Sequence, residues 1–535
     1  MSDRNEITRR QFVKNAAVVV GAGGAAVAGV MGSATTAQAA AAPIPKKWDR
    51  EADVIVIGSG PTGLPAAIAA VEKGASLIVL EQGKEVGGCG VIAGGILNIG
   101  GGTRVQKLNK IEDTPDLLFQ KLSAYKSPSN KRNDPALLRV FCDYNPGTLD
   151  WLEQRGVRFM DSITKAGAGG AMHQETYHHI WWDKEGPGAP FLKTPEGIAN
   201  GAGLIKPLEA YAKKKGVEIL VEHKMTRIIR KDSAAGRVLG VEAQTGSKKL
   251  YFKAKKAVIL GTGSWKGHKF LRKLFDSRIT DDIAFSGAPF VNADGSGIQA
   301  ALEAGAVLMS DRAMDTALYR RKFGTKHYNF PLNSPYGAPG LPIAGGRTAD
   351  VIFVNKSGLR FVSEEDVASL GTYSFFDAAL AQEDHVLWTI FDDATAKKYK
   401  WTVNPPVTEQ DAAFSAPTLA ALAKAIQVPP DALVETVRKY NSCVEKGNDP
   451  DFGKPQKLLK VKIDTPPFYG VWISLYVHDT CGGLAVNTKA QVLDIYGKVI
   501  PGLYAGGETA GGLEFAGMLR GIILGRIAGE NAAIG

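Results

Sequence analysis

The chain is 535 residues long, 44% apolar, and carries a net charge of +10 from 64 Lys+Arg and 54 Asp+Glu. That is enough apolar material for a large core and about two domains, which excludes a disordered or fibrous chain. The basic residues are scattered, not striped along one face, so they argue for a solvated surface and against a nucleic-acid partner. Cys89, Cys142, Cys443 and Cys481 stand far apart, with no C-x-x-C and no C-x-x-C-H for haem attachment.

The first forty residues read as an address. Thr8-Arg9-Arg10-Gln11-Phe12-Val13-Lys14 matches the twin-arginine export signal, Ala16 to Gly32 is a mild Ala/Gly/Val stretch, and Ala37-Gln38-Ala39 offers a cleavage site. Residues 1–39 are expected to leave as a signal peptide, with the mature protein in the periplasm. The stretch is short and glycine-rich for a span of ~20 strongly apolar residues, and no other segment could cross a bilayer. No stable membrane span is expected after signal removal. The twin-arginine route carries folded proteins, so the chain is expected to fold before export.

Asp53–Glu81 is the stretch around which the chain is organised. Val54–Ile57 is an apolar run of the kind a buried parallel strand shows. Gly58-Ser59-Gly60-Pro61-Thr62-Gly63 is a G-x-G-x-x-G turn, Leu64–Lys73 an Ala-rich helix, and Ala75–Leu80 a second strand closed by Glu81 and Gln82. Gly58 permits the tight turn, Gly60 lets backbone approach a pyrophosphate, and Gly63 lets helix pack on strand. The helix N-terminus faces the phosphates, and Glu81 accepts from ribose hydroxyls. Strand, turn, helix, strand and acid in this order predict a dinucleotide site.

Val86 to Gly95 (including Gly88, Cys89, Gly94 and Gly95) and Gly100-Gly101-Gly102 predict backbone running against a flat or charged group. Asp113 to about Gly156 reads as helical. Between Gly167 and Gly201 lie His173, Tyr177, His178, His179, Trp181 and Trp182, an ordered loop near a pocket. His178-His179 lacks the carboxylates or cysteines that would complete a ligand set, so no metal is expected. Leu204–Lys215 predicts a helix and Val217–Glu222 a strand, while Met225–Arg230, Val238–Ala243 and Leu250–Lys253 suggest a small antiparallel set. Ala257–Leu260 is a buried strand entering a second glycine turn, Gly261-Thr262-Gly263. From about 311 to 465 proline and aromatics rise and glycine turns vanish, which predicts an inserted domain between nucleotide-binding parts at 49–310 and 466–535. Leu503-Tyr504-Ala505 reads as a returning strand and Leu519–Ala533 as a final helix.

Five blocks in order carry a resemblance. They are Gly58–Glu81, Gly87–Gly95, Ala257–Gly263, Asn355-Lys356-Ser357-Gly358-Leu359-Arg360-Phe361-Val362, and Gly482 to Glu530. The last holds Val499–Glu508 and Gly525-Arg526-Ile527-Ala528-Gly529. The chain resembles the flavoproteins that include fumarate reductase flavoprotein and the 3-ketosteroid dehydrogenases. The resemblance implies an α/β fold, a Rossmann-like FAD-binding domain of parallel sheet and helices with a small antiparallel subsheet, and an inserted α+β substrate (cap) domain. It also implies that Gly88 and Cys89 pass the pyrophosphate, that the Met225 backbone meets the adenine, and that Glu508 binds the ribityl chain. The last helix, near Gly517 and Leu519, would point its N-terminus at the flavin N1/O2 edge. Members with covalent FAD carry a His near the Gly87–Gly95 run; none stands there, so non-covalent FAD is expected.

Departures from the pattern narrow the substrate. Fumarate reductases use an arginine about two helical turns past the Arg-Phe pair as proton donor, and here no arginine lies between Arg360 and Arg438. His478-Asp479-Thr480-Cys481-Gly482-Gly483 places an acid where those enzymes bind an anion, and Arg520 follows Leu519 where they have Asn. The ketosteroid-type members pair hydride transfer with proton transfer by a tyrosine after the Arg-Phe block, which makes Tyr373 or Tyr476 the expected acid/base and His478 the group polarising a carbonyl. The expectation is an FAD-dependent oxidoreductase acting on a C=C bond beside a carbonyl in a neutral, cyclic or aromatic-containing substrate. Electrons would pass to or from a separate partner, a c-type cytochrome or a quinone-linked protein. The alternatives are a fumarate-reductase-like reductase of unsaturated carboxylates and a flavin electron carrier without substrate chemistry of its own.

Overall fold

Strand β1 (Arg50–Ile57) carries Val54, Ile55, Val56 and Ile57 in succession, all buried. A run apolar on both faces is what a strand under helices on both sides requires. The structure is a computed structural model and describes residues 44–93, 95–124, 133–163, 177–180, 201–232, 235–281, 283–285, 293–309, 314–319, 350–364, 373–399, 413–513 and 517–535. Residues 1–39, expected from sequence to be an export signal, and His173, Trp181 and Trp182 lie outside these residues.

After β1 come helix α1 (Gly63–Glu72), β2 (Leu77–Leu80), β3 (Glu218–Leu220), β4 (Lys224–Asp232), β5 (Ala235–Thr245), β6 (Lys248–Leu260), β7 (Gln491–Leu493), β8 (Val499–Ala505) and helix α2 (Met518–Ile534). The sheet runs β7-β8-β6-β1-β2-β3, parallel from β8 to β3, with β7 antiparallel on its edge. β4 and β5 form the antiparallel subsheet against the first half of β6. The two segments Leu250–Lys253 and Ala257–Leu260 are one strand of 13 residues. The lysines between them obscure its continuity, yet Phe252 and Ala254 are buried while Lys253 and Lys255 pair outward with Glu51. Period two persists through the apparent break. The long helical stretch is likewise two helices, Pro115–Ala124 and Pro135–Glu153.

Helix α2 lies on α1 through glycines spaced four apart, which share one helix face. A Cβ on Gly525 would stand 2.3 Å from Thr62 O, and one on Gly529 2.2 Å from Ala66 O. The backbones touch, so α2 holds α1 against the sheet.

A second sheet of six strands is built around Phe468–Thr480, which pairs with Leu387–Asp392 and Ala413–Ala416 over its first half and with Met314–Tyr319 and Ala284–Phe285 over its second. Its first half is covered on both faces. Phe353, Leu387 and Phe391 face the larger core, while Ile352, Val354, Trp388 and Ile390 face a second cluster with Leu422, Leu433 and Tyr440. Phe468–Thr480, expected from sequence to belong to the returning nucleotide-binding segment, thus runs along the second sheet before the chain reaches the first. Among the described residues, no helix is long and apolar enough to cross a membrane.

Candidate cofactor and active site

Three parallel strands end side by side, each in a glycine turn. Ile57 leads into Gly58, Leu260 into Gly261 and Ala505 into Gly506; Gly261 N–H donates to Ile57 O at 2.8 Å and Gly506 N–H to Leu260 O at 3.2 Å. The carboxyl ends of strands in an open α/β sheet are where ligands bind. Gly58 has φ +93°, and a Cβ there would meet Gly261 O at 2.4 Å; on Gly63 it would meet Gly58 O at 1.8 Å. Hydrogen is the only side chain that fits, and the result is a cradle walled by backbone. A Cβ on Gly60 meets nothing nearer than Gly87 O at 3.6 Å, so this face of the turn is open for close approach. Thr62 is turned the other way, its hydroxyl against Gly507 and Gly521.

Glu81 is buried at the end of β2. One carboxylate oxygen accepts from Ser59 N–H at 2.9 Å and Ser59 Oγ at 2.6 Å, and the other from Gly83 N–H at 2.7 Å. Ser59 Oγ in turn accepts from Gly87 N–H at 3.0 Å, so the acid locks the first glycine turn to the second. Gln82 is half-buried beside it. Gly88 and Cys89 lie on the short helical turn Gly88–Gly90, with open space beside Gly88. Gly95 O accepts from Ile180 N–H at 2.9 Å, and Gly94 lies outside the described residues. Met225, in β4, pairs with Ala243 and buries its side chain in the core.

The far wall comes from three distant segments. Thr262 Oγ1 meets Thr509 Oγ1 at 3.2 Å, and Thr509 Oγ1 donates to Gly263 O at 3.3 Å. Thr480, at the end of the long strand of the second sheet, donates its N–H to Glu508 Oε1 at 2.8 Å and its hydroxyl to Ser264 Oγ at 3.0 Å. Trp265, fully buried, stacks on Phe275 at 4.3 Å and donates Nε1–H to Gly482 O at 2.8 Å. Gly517 caps α2 with φ +114° and nothing within 4 Å of the Cβ position, and Leu519 is buried in the first turn. Among the described residues no side chain caps the N-terminus of α1 or α2, and backbone N–H groups with the positive end of the helix dipole are there to meet a ligand.

The three candidate catalytic residues stand on two elements. Tyr373 opens the helix Tyr373–Leu380. Tyr476 pairs through its backbone with Ala284 and Ala317, and His478 sits where the register with Met314–Tyr319 shifts. Their side chains lie outside the described part, but the strand that carries Tyr476 and His478 ends two residues later at Thr480, the residue bonded to Glu508 and Ser264.

His178 is buried and its Nε2 meets Thr103 Oγ1 at 2.8 Å; among the described residues no cluster could hold a metal. Arg360 is committed to structure. It donates to Glu364 Oε1 and Oε2 at 3.0 and 2.9 Å and to Asp449 Oδ2 at 2.9 Å, and buried Lys454 adds a bond to Glu364 at 3.1 Å. Burial alone would raise the Asp449 carboxyl, but the bonds from Arg360 outweigh it and hold it below the usual carboxylate range. Two features escape sequence reading: the Gly521-Gly525-Gly529 spacing that docks α2, and the burial of Arg520. The first is visible as a period of four, the second has no local signal.

The family model for the FAD binding domain matches residues 53–524. The fumarate reductase (cytochrome) of Shewanella frigidimarina is 30% identical over 501 residues, covering 90% of this chain and 77% of that protein. The vinyl phenol reductase of Lactiplantibacillus plantarum is 29% identical, over 86% of this chain and 90% of that one. Among solved structures, 3-ketosteroid-delta4-(5alpha)-dehydrogenase from Rhodococcus jostii RHA1, in complex with 4-androstene-3,17-dione, matches with a TM-score of 0.68 and 26% identity over 91% of this chain and 98% of that one. The backbone-walled cradle, the two uncapped helix N-termini and an orphaned buried nitrogen on Arg520 fit FAD.

Proposed function

This chain belongs to the FAD binding domain family as an FAD-dependent oxidoreductase, and we propose that it is exported and acts on a C=C bond beside a carbonyl in a neutral, cyclic or aromatic-containing substrate. When bound, FAD supplies two-electron exchange at its isoalloxazine ring. The chain's residues do the rest. Glu81 would hold the adenosine ribose, the backbone at Gly88 and Cys89 the pyrophosphate, the Met225 backbone the adenine, and Glu508 the ribityl chain. The N-terminus of α2 at Gly517 to Leu519 would serve the N1/O2 edge of the flavin. No histidine stands in the Gly87–Gly95 run, which favours non-covalent binding. Tyr476 or Tyr373 gives or takes the proton at the carbon next to the reacting one, and His478 polarises the carbonyl.

The observation that carries the substrate class is the fate of the arginines. A dicarboxylate needs cationic partners. Arg360 is locked between Glu364 and Asp449, and Arg520 spends both terminal nitrogens on backbone carbonyls. Asp479 adds an acid beside His478. The test is anaerobic: reduce the flavin with viologen and mix with fumarate, aryl acrylates, a vinyl phenol and a 3-keto-4-ene steroid. Reoxidation is expected with a neutral member and not with fumarate. Rapid reoxidation by fumarate overturns this reading and favours the alternative, a reductase of unsaturated carboxylates, to which the similarity with the Shewanella frigidimarina enzyme lends weight. Silence across the panel favours a flavin carrier.

On this reading a separate partner, a c-type cytochrome or a quinone-linked protein, exchanges electrons with it. Export rests on Arg9-Arg10. Replacing the pair by lysines is expected to leave the precursor, with FAD, in the cytoplasm; unchanged appearance of the processed protein in the periplasm would remove the twin-arginine assignment.

A further inference from the structure

The helix Lys269–Phe275 backs the far wall of the cradle on one side and meets solvent on the other. Its inner face is Leu271, Arg272 and Phe275. Leu271 and Arg272 are buried, and Arg272 donates to Thr280 O and Ile283 O. Phe275 stacks on Trp265, and a Cβ on Gly482 would stand 2.6 Å from the Phe275 ring. The outer face is apolar where a solvent-facing helix should be polar: Phe270 is 67% and Leu274 53% exposed. Single exposed apolar side chains are ordinary, but these two stand four residues apart and adjoin on the helix surface. The same helix carries Lys269, Arg272 and Lys273 and no acid. Lys269 and Lys273 both turn to Asp281, at 3.1 and 3.8 Å. One carboxylate does not neutralise two ammonium groups, so the apolar pair has a positive border. Arg278, the next cation, is answered by Asp276 and Asp377.

We propose that this face docks the electron partner, and that the partner is a c-type haem protein presenting its haem edge. An exposed haem edge is an apolar porphyrin rim carrying two propionate carboxylates. Phe270 and Leu274 match the rim, and Lys269 and Lys273 match the carboxylates, in the pattern of apolar centre and charged border that interfaces show. So small a patch suits a transient electron-transfer encounter, which lies at the low end of interface areas. Position supports the same partner. Electron transfer between cofactors weakens steeply with distance, and a haem on this face is separated from the Gly482 wall by the thickness of one helix, ~10 Å with side chains. The exchange balances without a further reagent. Flavin that has taken up two electrons and one proton gives one electron to each of two ferric haems, and the proton goes to solvent. The inference rests on the flavin placement and the separate electron partner proposed above.

The test reduces the FAD holoenzyme anaerobically with stoichiometric dithionite, mixes it with an oxidised, acidic, monohaem c-type cytochrome, and follows the ferrous haem band. In the parent the rate is expected to fall as salt is added. Phe270→Ser/Leu274→Ser should lower the second-order rate constant at least about tenfold, the loss expected when two anchoring apolar side chains are removed. Lys269→Gln/Lys273→Gln should lower it and flatten its dependence on salt. Benzoquinone, small and neutral, should reoxidise all three proteins at one rate. It reads the flavin alone, so a fault in the cofactor reading appears there and a fault in the docking face does not. Cytochrome reduction by both variants at the parent's rate would place the partner elsewhere and overturn the inference. A parent that benzoquinone reoxidises but that passes no electrons to the cytochrome would overturn it as well. If the apolar variant loses its flavin, the lysine variant and the salt dependence decide.

Discussion

The double variant Tyr373→Phe/Tyr476→Phe is expected to lose about 100-fold to 10,000-fold in turnover with the best substrate of the panel, the range that a positioned general acid or base contributes. Its FAD content should match the parent, because neither residue lies in the glycine cradle. The single variants then show which tyrosine carries the proton. Loss of the proton-transfer group should also remove the matching limb of the pH–rate profile, which a packing defect would leave in place. Turnover equal to the parent's in the double variant would end the tyrosine assignment. His478→Gln belongs in the same series, since a carbonyl-polarising residue should lower kcat and kcat/KM together.

Gly63→Val is expected to yield protein without FAD, or no soluble protein. A Cβ at that position overlaps Gly58 O at 1.8 Å, and the neighbour is backbone held at the end of β1, so it cannot step aside as a side chain would. Ordinary overpacking of a core costs about 1–3 kcal/mol. Here the first turn of α1 must leave the strand, and the phosphate-facing N–H groups leave with it. Gly60→Ala is the control, because its Cβ meets only Gly87 O at an ordinary 3.6 Å. That variant should fold with the parent's thermal midpoint in the absence of FAD and bind FAD more weakly, since the added methyl occupies the approach of the pyrophosphate. Full flavin content in Gly63→Val, read from absorbance, would contradict the geometry of the cradle.

The unit from β1 to Glu81 was legible because each signal in it is local: four apolar residues in a row, glycines at fixed spacing, and an acid at the end of a short strand. The fold class followed, since a strand of that kind needs parallel neighbours and covering helices. The second half of the cradle was only partly legible. Thr480, Glu508 and Ser264 meet through contacts between residues far apart in the chain, and nothing in their immediate sequence shows it. Thr62 illustrates the limit from the other side, because the motif names the position but not that its hydroxyl packs against Gly507 and Gly521. β6 was cut in two by its lysines, whose alternation with Phe252 and Ala254 mimics a turn in any reading that equates charge with loop. In the second sheet, strands buried on both faces resemble buried helix segments over so few residues.

The glycine contact between α1 and α2 also dictates an order of assembly. α1 emerges early in synthesis and α2 last among these elements, so the cradle stays half-built for most of translation. Residues around Thr62 and Ala66 then present bare backbone that only the late helix covers. Closing a contact of such long sequence separation is slow compared with local structure. A ligand held only by the closed arrangement, at about 100 times its dissociation constant, favours the docked helix by about 2.7 kcal/mol. A cofactor seated in the cradle would therefore also secure the helix that closes it.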